Sequence, residues 1–489
     1  MSSTNGTHAA HPRTSVAALL TALLAACVAF QLNASMLSPA LSSISRELNA
    51  TDAEVGLTQT AFFTAAALFS LFLPRLGDLV GRKRVLTGML AVMTVGCVIA
   101  ALAPNISVLF VGRIVQGVSG PVVPLALIML RHEVRDPKLY GTLMGIVTAV
   151  NGGIAGVDAL AGGYLAQHHG FHSVFWAMGV VALIATGLVL TLAPESDAGG
   201  AGDQRMDWVG VAFLVVSVGA MLIALNEAGK LAAASWLLVA VLVVVSIAAF
   251  VGFWRTEDRV THPLVETRHL RQRSTWALLA TTVLTMTGVF AVMNGLVPAL
   301  AQDAKAGLGM TAETSAWWTL TPYAIAGLLM GPFAGRLAST AGYKTILRIG
   351  MIGTLIGVAA LGLTAGSTSS WLLLLLSILV GLTYAGTVNI MLNGLGVVLS
   401  PRENPGFLPG LNAGAFNLGA GLSFAVLYAV STALAPSDPS SAGGYTAGIL
   451  MGAAVLLGAL AMSFLIPKPV DAETTGAASA TPADDEPTR

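Results

Sequence analysis

Charged residues are scarce in this chain. Asp, Glu, Lys and Arg make up 10% of its 489 residues, and hydrophobic residues make up 55%. A soluble domain, in contrast, carries about 25% charged residues. The composition therefore excludes a soluble protein and predicts one that is embedded in a lipid bilayer.

A surplus of positive charge is also absent. The 24 Lys and Arg residues balance the 24 Asp and Glu residues, so no basic surface is available to hold nucleic acid. Cys27 and Cys97, the two cysteines, lie inside apolar runs and are interpreted as small buried hydrophobic residues. This excludes a disulfide framework and a thiolate metal site.

Signatures of metal and nucleotide chemistry are missing as well. The histidines His168, His169 and His172 cluster without carboxylates or cysteines beside them, so no metal site is expected. The sequence contains no phosphate-cradling loop of the Walker type. We therefore expect neither ATP hydrolysis nor any other enzymatic activity, and no cofactor.

Long apolar runs dominate what is present. A helix needs about 20 mainly apolar residues to cross the hydrocarbon core, and we count about fourteen such runs. Their approximate limits are 15–38, 54–74, 85–104, 107–130, 141–166, 172–193, 208–226, 234–254, 275–299, 315–338, 345–365, 370–398, 407–434 and 444–466. An even number places both termini on one side. Most Lys and Arg residues lie in the loops of that side, which predicts cytoplasmic termini and a multi-pass protein of the plasma membrane.

Polar stretches divide the chain into segments. The predicted segments are a cytoplasmic leader (1–14), a first six-helix bundle (15–193), a cytoplasmic linker (194–206), two additional transmembrane helices (207–254), a second cytoplasmic linker (255–273), a second six-helix bundle (274–466) and a tail (467–489). The tail is rich in Ala, Thr, Asp and Glu and has no periodicity. We expect it to be a disordered cytoplasmic segment.

A charged motif between the second and third runs recurs late in the chain. The shared spacing is that of Arg75, Asp78, Gly81 and Lys83 in the first copy and of Arg336, Ser339, Gly342 and Lys344 in the second. Repetition at equivalent joints indicates two halves built on one plan. We interpret Asp78, Gly81, Arg82 and Lys83 as a charge-assisted lock that breaks when the cytoplasmic face opens. The alternative is that these cations only enforce topology.

Two ionisable residues lie well inside apolar runs. Arg113 is in the fourth run and Asp158 in the fifth, at similar predicted depths, so they could pair. A charge inside a span is costly and should face a polar interior with a partner. In the functional interpretation Asp158 carries a proton and Arg113 assists it. In the structural alternative the two form a permanent ion pair.

Neutral polar and aromatic residues are scattered through the other runs. The candidates for a substrate cavity are Gln31, Asn33, Gln59, Phe62, Gln116, Asn151, Phe290, Asn294, Tyr323, Tyr384, Asn389, Asn393, Asn412 and Asn417. A cavity of amides and aromatic rings suits a small organic solute. For each residue alone, a hydrogen bond between helices or a place in an interfacial aromatic belt is the alternative.

The motifs together resemble the major facilitator superfamily, and specifically its fourteen-span drug:proton antiporters. Leu76, Asp78, Gly81, Arg82 and Lys83 are similar to the family's loop between spans two and three. In the fourth span, Arg113, Gln116 and Gly117 are similar to a motif whose arginine the family uses in proton transfer. The flanks of the two additional spans also match, at Asp207-Trp208-Val209-Gly210 and Pro263-Leu264-Val265.

The sequence departs from the antiporter pattern at two places. Asn33 stands where the first span usually has an aspartate, and Asp158 and Ala159 stand where the fifth span usually has Gly-Pro before Gly162 and Gly163. We therefore hypothesise that the protonation site has moved to Asp158.

The resemblance implies an all-helical membrane protein of the major facilitator fold, with two six-helix bundles and two additional transmembrane helices. It implies a monomeric secondary transporter that exports a hydrophobic or amphipathic organic compound in exchange for protons. One alternative is a proton symporter or facilitator for a small metabolite. A more remote alternative is a non-transporting receptor or scaffold.

Overall fold

The computed structural model describes residues 15–134, 136–195, 206–228, 234–260, 267–367, 369–400, 407–438 and 440–468. Within these ranges the regular structure is entirely helical. The predicted leader, most of the first linker and the tail from residue 469 onwards lie outside the described residues.

The long helices are numbered in chain order, and several consist of two parts. Their bounds are α1 Val16–Ser35 with Leu41–Glu47, α2 Asp52–Val80, α3 Arg82–Ala101, α4 Ile106–Gln116 with Val122–Glu133, α5 Pro137–His169, α6 Phe171–Leu192, α7 Trp208–Ala228, α8 Trp236–Glu257, α9 Arg273–Ala291 with Val297–Gln302, α10 Ala312–Trp318 with Leu320–Ala341, α11 Tyr343–Thr364, α12 Ser370–Val380 with Asn389–Val398, α13 Phe407–Ala433 and α14 Gly443–Ser463.

Local sequence explains where α2 begins and ends. The Glu54 N–H donates to the Thr51 hydroxyl at 3.2 Å, and the Thr51 N–H donates to the Glu54 carboxylate at 2.8 Å. This capping box satisfies donors that the first turn leaves unpaired. At the other end, Gly81 adopts φ 107°, a conformation that glycine tolerates best. The chain can therefore turn directly from α2 into α3.

A 3₁₀ turn at Gly117–Ser119 interrupts α4 beside α2. A Cβ atom at Gly120 would collide with the Ala66 backbone of α2, so glycine is what lets the two helices approach here. Pro121 follows directly, and a proline lacks the N–H that would continue the helical bonding. The break begins four residues after Arg113 and separates the first part of α4, which carries Arg113, from the second.

Two bundles form the molecule, α1–α6 and α9–α14, and they meet along two helix pairs. In one pair α2 packs on α13, and in the other α5 packs on α10. Hydrogen bonds cross both seams: the Thr60 hydroxyl donates to the Gly421 carbonyl at 3.0 Å, and the Thr321 hydroxyl donates to the Gly156 carbonyl at 3.1 Å. Helices α7 and α8 pack on each other, and α7 also contacts α2.

The two ends of the molecule differ. The face that carries the start of α1 and the end of α14 is called the terminal face, and the other the opposite face. At the opposite face the bundles touch: the Gln302 amide donates to the Pro39 carbonyl at 3.1 Å, and the Ser38 hydroxyl donates to Asn294 Oδ1 at 3.4 Å. The structure is therefore a conformation in which the bundles are joined at the opposite face.

The number of membrane spans differs from the prediction. In the described part of the chain, 12 helices are long and apolar enough to cross a membrane, so the predicted count of fourteen is not confirmed. The two long helices outside this set are α5 and α10. Several side chains of α5 are outside the described residues. The chain breaks α10 at Thr319, and Arg336 lowers the hydropathy of its longer part.

Candidate functional site

Arg113 lies in the first part of α4 and is completely buried. One of its terminal nitrogens donates to the side-chain oxygen of Gln116 at 2.7 Å and to the backbone carbonyl of Asn33 at 3.1 Å. The other donates to Gln59 Oε1. The guanidinium also lies 4.2 Å from the centre of the Phe62 ring, within the range of a cation–π interaction. Helices α1, α2 and α4 thus converge on one cation.

Several donors in this cluster have no hydrogen-bond acceptor. Among the described residues, Gln59 Nε2, Gln116 Nε2 and Arg113 Nε are buried without a partner. The side-chain oxygen of each glutamine accepts a hydrogen bond from Arg113, whereas its NH₂ group has no acceptor. A buried donor without an acceptor costs about 1–3 kcal/mol. The cluster is therefore rich in donors and short of acceptors.

Asp158 lies on α5 with 2% of its surface exposed. Its Oδ2 accepts a hydrogen bond from the Ser35 hydroxyl of α1 at 2.5 Å, and Ser35 in turn accepts from Gln31 Nε2 at 2.8 Å. The second carboxyl oxygen, Oδ1, is buried without a partner. A charged carboxylate is costly inside a membrane span, and the role of Asp158 as a proton carrier stays a prediction.

The predicted contact between Arg113 and Asp158 is not formed in this structure. Both residues reach α1 instead, Arg113 at the Asn33 carbonyl and Asp158 at the Ser35 hydroxyl. Similar depth in two spans does not make two side chains neighbours when a third helix supplies nearer partners. The interpretation of a permanent Arg113–Asp158 ion pair was wrong for this conformation.

Asn33 is buried, and its side chain serves the local structure. Its Nδ2 donates to the Ala29 carbonyl at 2.9 Å, and the Cys97 thiol donates to its Oδ1 at 3.4 Å. Its backbone carbonyl faces Arg113. The residue that replaces the family's aspartate therefore contributes to the cluster through its backbone.

Aromatic rings connect this cluster to the second bundle. Phe62 contacts Phe63 with ring centres 4.9 Å apart, and Phe63 contacts Phe290 of α9 at 5.0 Å. Phe290 and Phe63 both contact Phe424 of α13. The four rings form an apolar layer between the bundles.

The amide candidates of the second bundle are largely occupied by helix packing. Asn412 accepts from the Thr282 hydroxyl at 2.7 Å and donates to the Leu392 carbonyl at 3.3 Å, so it joins α9, α12 and α13. Asn294 donates to the Phe290 carbonyl of its own helix at 3.1 Å. Asn393 is exposed and bonds to Asn389 one turn earlier at 2.9 Å.

The remaining candidates are placed as follows. Tyr384 is buried, and its hydroxyl donates to Met286 Sδ at 2.7 Å. Tyr323 and Asn417 are buried. The side chain of Asn151 lies outside the described residues. Of the described side chains, Gln31, Asn33, Gln59, Phe62 and Gln116 gather around α1 in the first bundle, whereas the candidates of the second bundle are spread over α9, α10, α12 and α13.

Ser35 was missed by the sequence interpretation. It lies four residues after Gln31, on the same face of α1. That spacing was the available signal, but a serine in a span is ordinarily bonded to its own helix. Ser35 Oγ does lie 3.0 Å from the Gln31 carbonyl, and its one proton is shared between this carbonyl and Asp158. Only the packing of α5 on α1 shows the second contact.

The predicted lock joins consecutive helices of one bundle. Asp78 near the end of α2 and Arg82 at the start of α3 form an ion pair with an N–O distance of 2.9 Å, and both side chains are partly exposed. Gly81 makes the turn between them, and Lys83 follows on α3. The pair does not bridge the two bundles, and its role as a lock stays a prediction.

The comparisons establish the family. Residues 23–424 match the Major Facilitator Superfamily, and the chain belongs to it. The Uridine/deoxyuridine transporter of Lactococcus lactis subsp. cremoris (strain MG1363) is 54% identical over 461 residues, which cover 94% of this chain and 96% of that protein. Multidrug resistance protein Stp of Mycobacterium tuberculosis (strain CDC 1551 / Oshkosh) is 25% identical over 410 residues, covering 82% of this chain and 73% of that protein.

Solved structures agree on the fold. The crystal structure of the nucleoside transporter NupG has a TM-score of 0.61 at 13% identity and covers 92% of this chain and 100% of its own. The human organic anion transporter MFSD10 has a TM-score of 0.60 at 14% identity, covering 93% and 100%. Together with the family match, these findings make the chain an all-helical multi-pass membrane transporter and not an enzyme. The antiporter branch receives only weak support, from distant relatives.

Proposed function

We propose that this chain is a secondary transporter for pyrimidine nucleosides of the uridine type, which it carries across the membrane by alternating access. The observation that carries this proposal is the 54% identity to a uridine/deoxyuridine transporter over nearly the full length of both chains. Relatives named for multidrug resistance share about half that identity, as the 25% of protein Stp illustrates. The small-metabolite alternative therefore replaces the export of a hydrophobic drug as the main interpretation.

The chemistry of the first bundle supports this substrate class. A uracil ring presents two carbonyl acceptors and a flat face. The unpaired donors of Gln59, Gln116 and Arg113 suit the carbonyl oxygens. The substrate carries no charge, so it needs no fixed ion of opposite sign.

Proton coupling through Asp158 is the second part of the proposal. The residue is buried, with one oxygen bonded to Ser35 and the other without a partner. A proton on Asp158 would remove a charge from the membrane interior. Because a nucleoside is a metabolite that a cell gains by accumulating, we propose symport with protons rather than antiport; facilitated diffusion without protons is the alternative.

The proposed topology counts α5 and α10 as spans, which gives the fourteen spans of the predicted organisation. We place the terminal face in the cytoplasm, because Lys and Arg gather in its loops. The protein is proposed to act as a monomer in the plasma membrane.

The test is transport by the purified protein in proteoliposomes. We expect saturable uptake of radiolabelled uridine that unlabelled deoxyuridine competes for and that ethidium leaves unchanged. An inward proton gradient should accelerate this uptake. Transport of ethidium without transport of uridine would restore the drug-export interpretation, and equal uridine uptake with and without the gradient would reject symport.

A further inference from the structure

Four cations gather where three helices of the second bundle reach the terminal face. Arg273 begins α9, Lys344 and Arg348 lie in the first turns of α11, and Lys468 follows α14. Arg273 Nε donates to the Leu465 carbonyl at 2.9 Å, and Arg348 donates to the Ser463 carbonyl at 3.4 Å. These bonds draw the helix ends together, and Lys344 lies within the electrostatic influence of the other three cations. We call these four residues the basic cluster.

No carboxylate neutralises the basic cluster among the described residues. Ion pairs that the described residues do form at this face include Arg82 with Asp78, Arg84 with Glu195 and Arg271 with Asp258. Arg348 has an aromatic partner, the Phe464 ring, whose centre lies 4.1 Å from its guanidinium carbon. Like charges held together near a membrane raise the electrostatic free energy unless an anion joins them. The cluster is therefore prepared for a negatively charged group.

The sequence explains why the acid is missing. In the first copy of the repeated motif Asp78 supplies a carboxylate to the joint, whereas Ser339 stands at the matching position of the second copy. A topology signal alone requires only that cations lie near the correct face. It does not require cations from three helices to converge without an acid.

Apolar side chains adjoin the basic cluster on the surface of the bundle. Phe464 is 58% exposed, Ile349 60% and Trp276 41%, and they belong to the same three helix ends. A ligand that fits this surface should carry an anionic head group and an apolar body. A soluble anion would contact the cations but not the apolar side chains.

We propose that the basic cluster binds the head group of an anionic phospholipid in the leaflet at the terminal face, with an acyl chain along Phe464, Ile349 and Trp276. Juxtamembrane Lys and Arg residues attract anionic lipids, and Arg348 and Arg273 are held in place for the head-group phosphate by the carbonyls at the end of α14. The basic cluster lies in the second bundle, apart from the Arg113 cluster of the first.

The experiment measures lipid binding to the purified full-length protein by native mass spectrometry. Phosphatidylglycerol is titrated in competition with phosphatidylcholine. The test variant is Lys344→Gln combined with Lys468→Gln, because these residues do not hold the end of α14. The matched control is Lys83→Gln combined with Arg84→Gln at the joint of the first bundle.

We expect the wild type and the control to prefer phosphatidylglycerol, and the test variant to lose about 30-fold in affinity for it. Equal binding of the two lipids to the wild type would overturn the proposal. The proposal would also be overturned if the control lost as much affinity for phosphatidylglycerol as the test variant, or if the test variant lost none. Displacement by soluble glycerol phosphate at matching concentration would show that the cations bind a free phosphate rather than a lipid.

One further variant tests whether the basic cluster binds a lipid or the chain's own acidic residues beyond Lys468. Asp471→Asn combined with Glu473→Gln removes two carboxylates that follow the cluster in sequence. We expect phosphatidylglycerol binding to stay within about twofold of the wild type, because neither carboxylate competes for the site. A wild type that binds no phosphatidylglycerol, beside a variant that does, would mean that these carboxylates occupy the cluster instead.

Discussion

The two bundles use their buried polar groups differently. In the first bundle, Arg113 and the two glutamines around it leave donors without acceptors, and Asp158 leaves an oxygen without a donor. In the second bundle, both polar groups of the Asn412 amide have partners: its oxygen accepts from the Thr282 hydroxyl, and its NH₂ group donates to the Leu392 carbonyl. Polar atoms without partners are costly inside a membrane. The second bundle also leaves the buried hydroxyls of Ser377 and Tyr428 without partners, so the comparison concerns its amide. Under the proposed function, the unpaired groups of the first bundle serve substrate and protons, whereas Asn412 holds helices together.

The largest effect that tests this comparison is expected at Arg113. Arg113→Lys keeps the charge but cannot bond to Gln59, Gln116 and the Asn33 carbonyl together, because an ammonium lacks the planar fork. Loss of one or two charge-assisted bonds predicts a decrease in uridine transport of about tenfold to 100-fold. Size-exclusion profiles of the variant check that the protein remains folded. Normal transport by this variant would remove the cluster from the pathway.

At Asp158 the expected effect is on coupling rather than on folding. Asp158→Asn keeps the shape and can still accept from Ser35, but it cannot carry a proton. We expect uptake driven by the proton gradient to disappear while exchange of internal for external uridine continues. Asp303→Asn is the control, since that carboxylate bonds to Tyr445 at 3.1 Å near the opposite face. Gradient-driven uptake in Asp158→Asn at the wild-type rate would reject proton transfer at this residue.

In the second bundle we expect a moderate effect on stability rather than on transport. Asn412→Ala removes the bonds that join α9, α12 and α13 and leaves the Thr282 hydroxyl without its acceptor. We expect a loss of about 1–2 kcal/mol in the free energy of unfolding, measured as a lower Tm, with the KM for uridine unchanged. Asn393→Ala is the matched control, because Asn393 is exposed and bonds only within α12. A changed KM in Asn412→Ala with an unchanged Tm would reverse the roles given to the two bundles.

The smallest effect is expected at the joint between α2 and α3. The Asp78–Arg82 pair is partly exposed, and exposed pairs contribute about 0–1 kcal/mol. Asp78→Asn should therefore barely change Tm. If the pair locks the terminal face, cysteine labelling at that face should increase in this variant. Asp258→Asn is the matched control, because it breaks the ion pair with Arg271 at the same face. Labelling that stays at the wild-type level in Asp78→Asn would limit the pair to topology.

Much of this architecture could be predicted from the sequence. The apolar runs predicted every long helix, because in lipid a helix satisfies its backbone bonds within itself. The repeated motif predicted two related halves, and the motif residues predicted the family that the comparisons establish. The proposed substrate class could not be predicted in this way, since the matching motifs lie at helix joints.

The sequence by itself thus determined that this is a membrane-spanning helical protein with a few polar groups in its interior. Only the tertiary structure decided which of those groups meet. Arg113 and Asp158 had the right depth to pair, yet α1 separates them into two sites through Asn33 and Ser35. Depth follows from position along one helix, whereas contact depends on the rotation and packing of several, and those are set by side chains far apart in the chain.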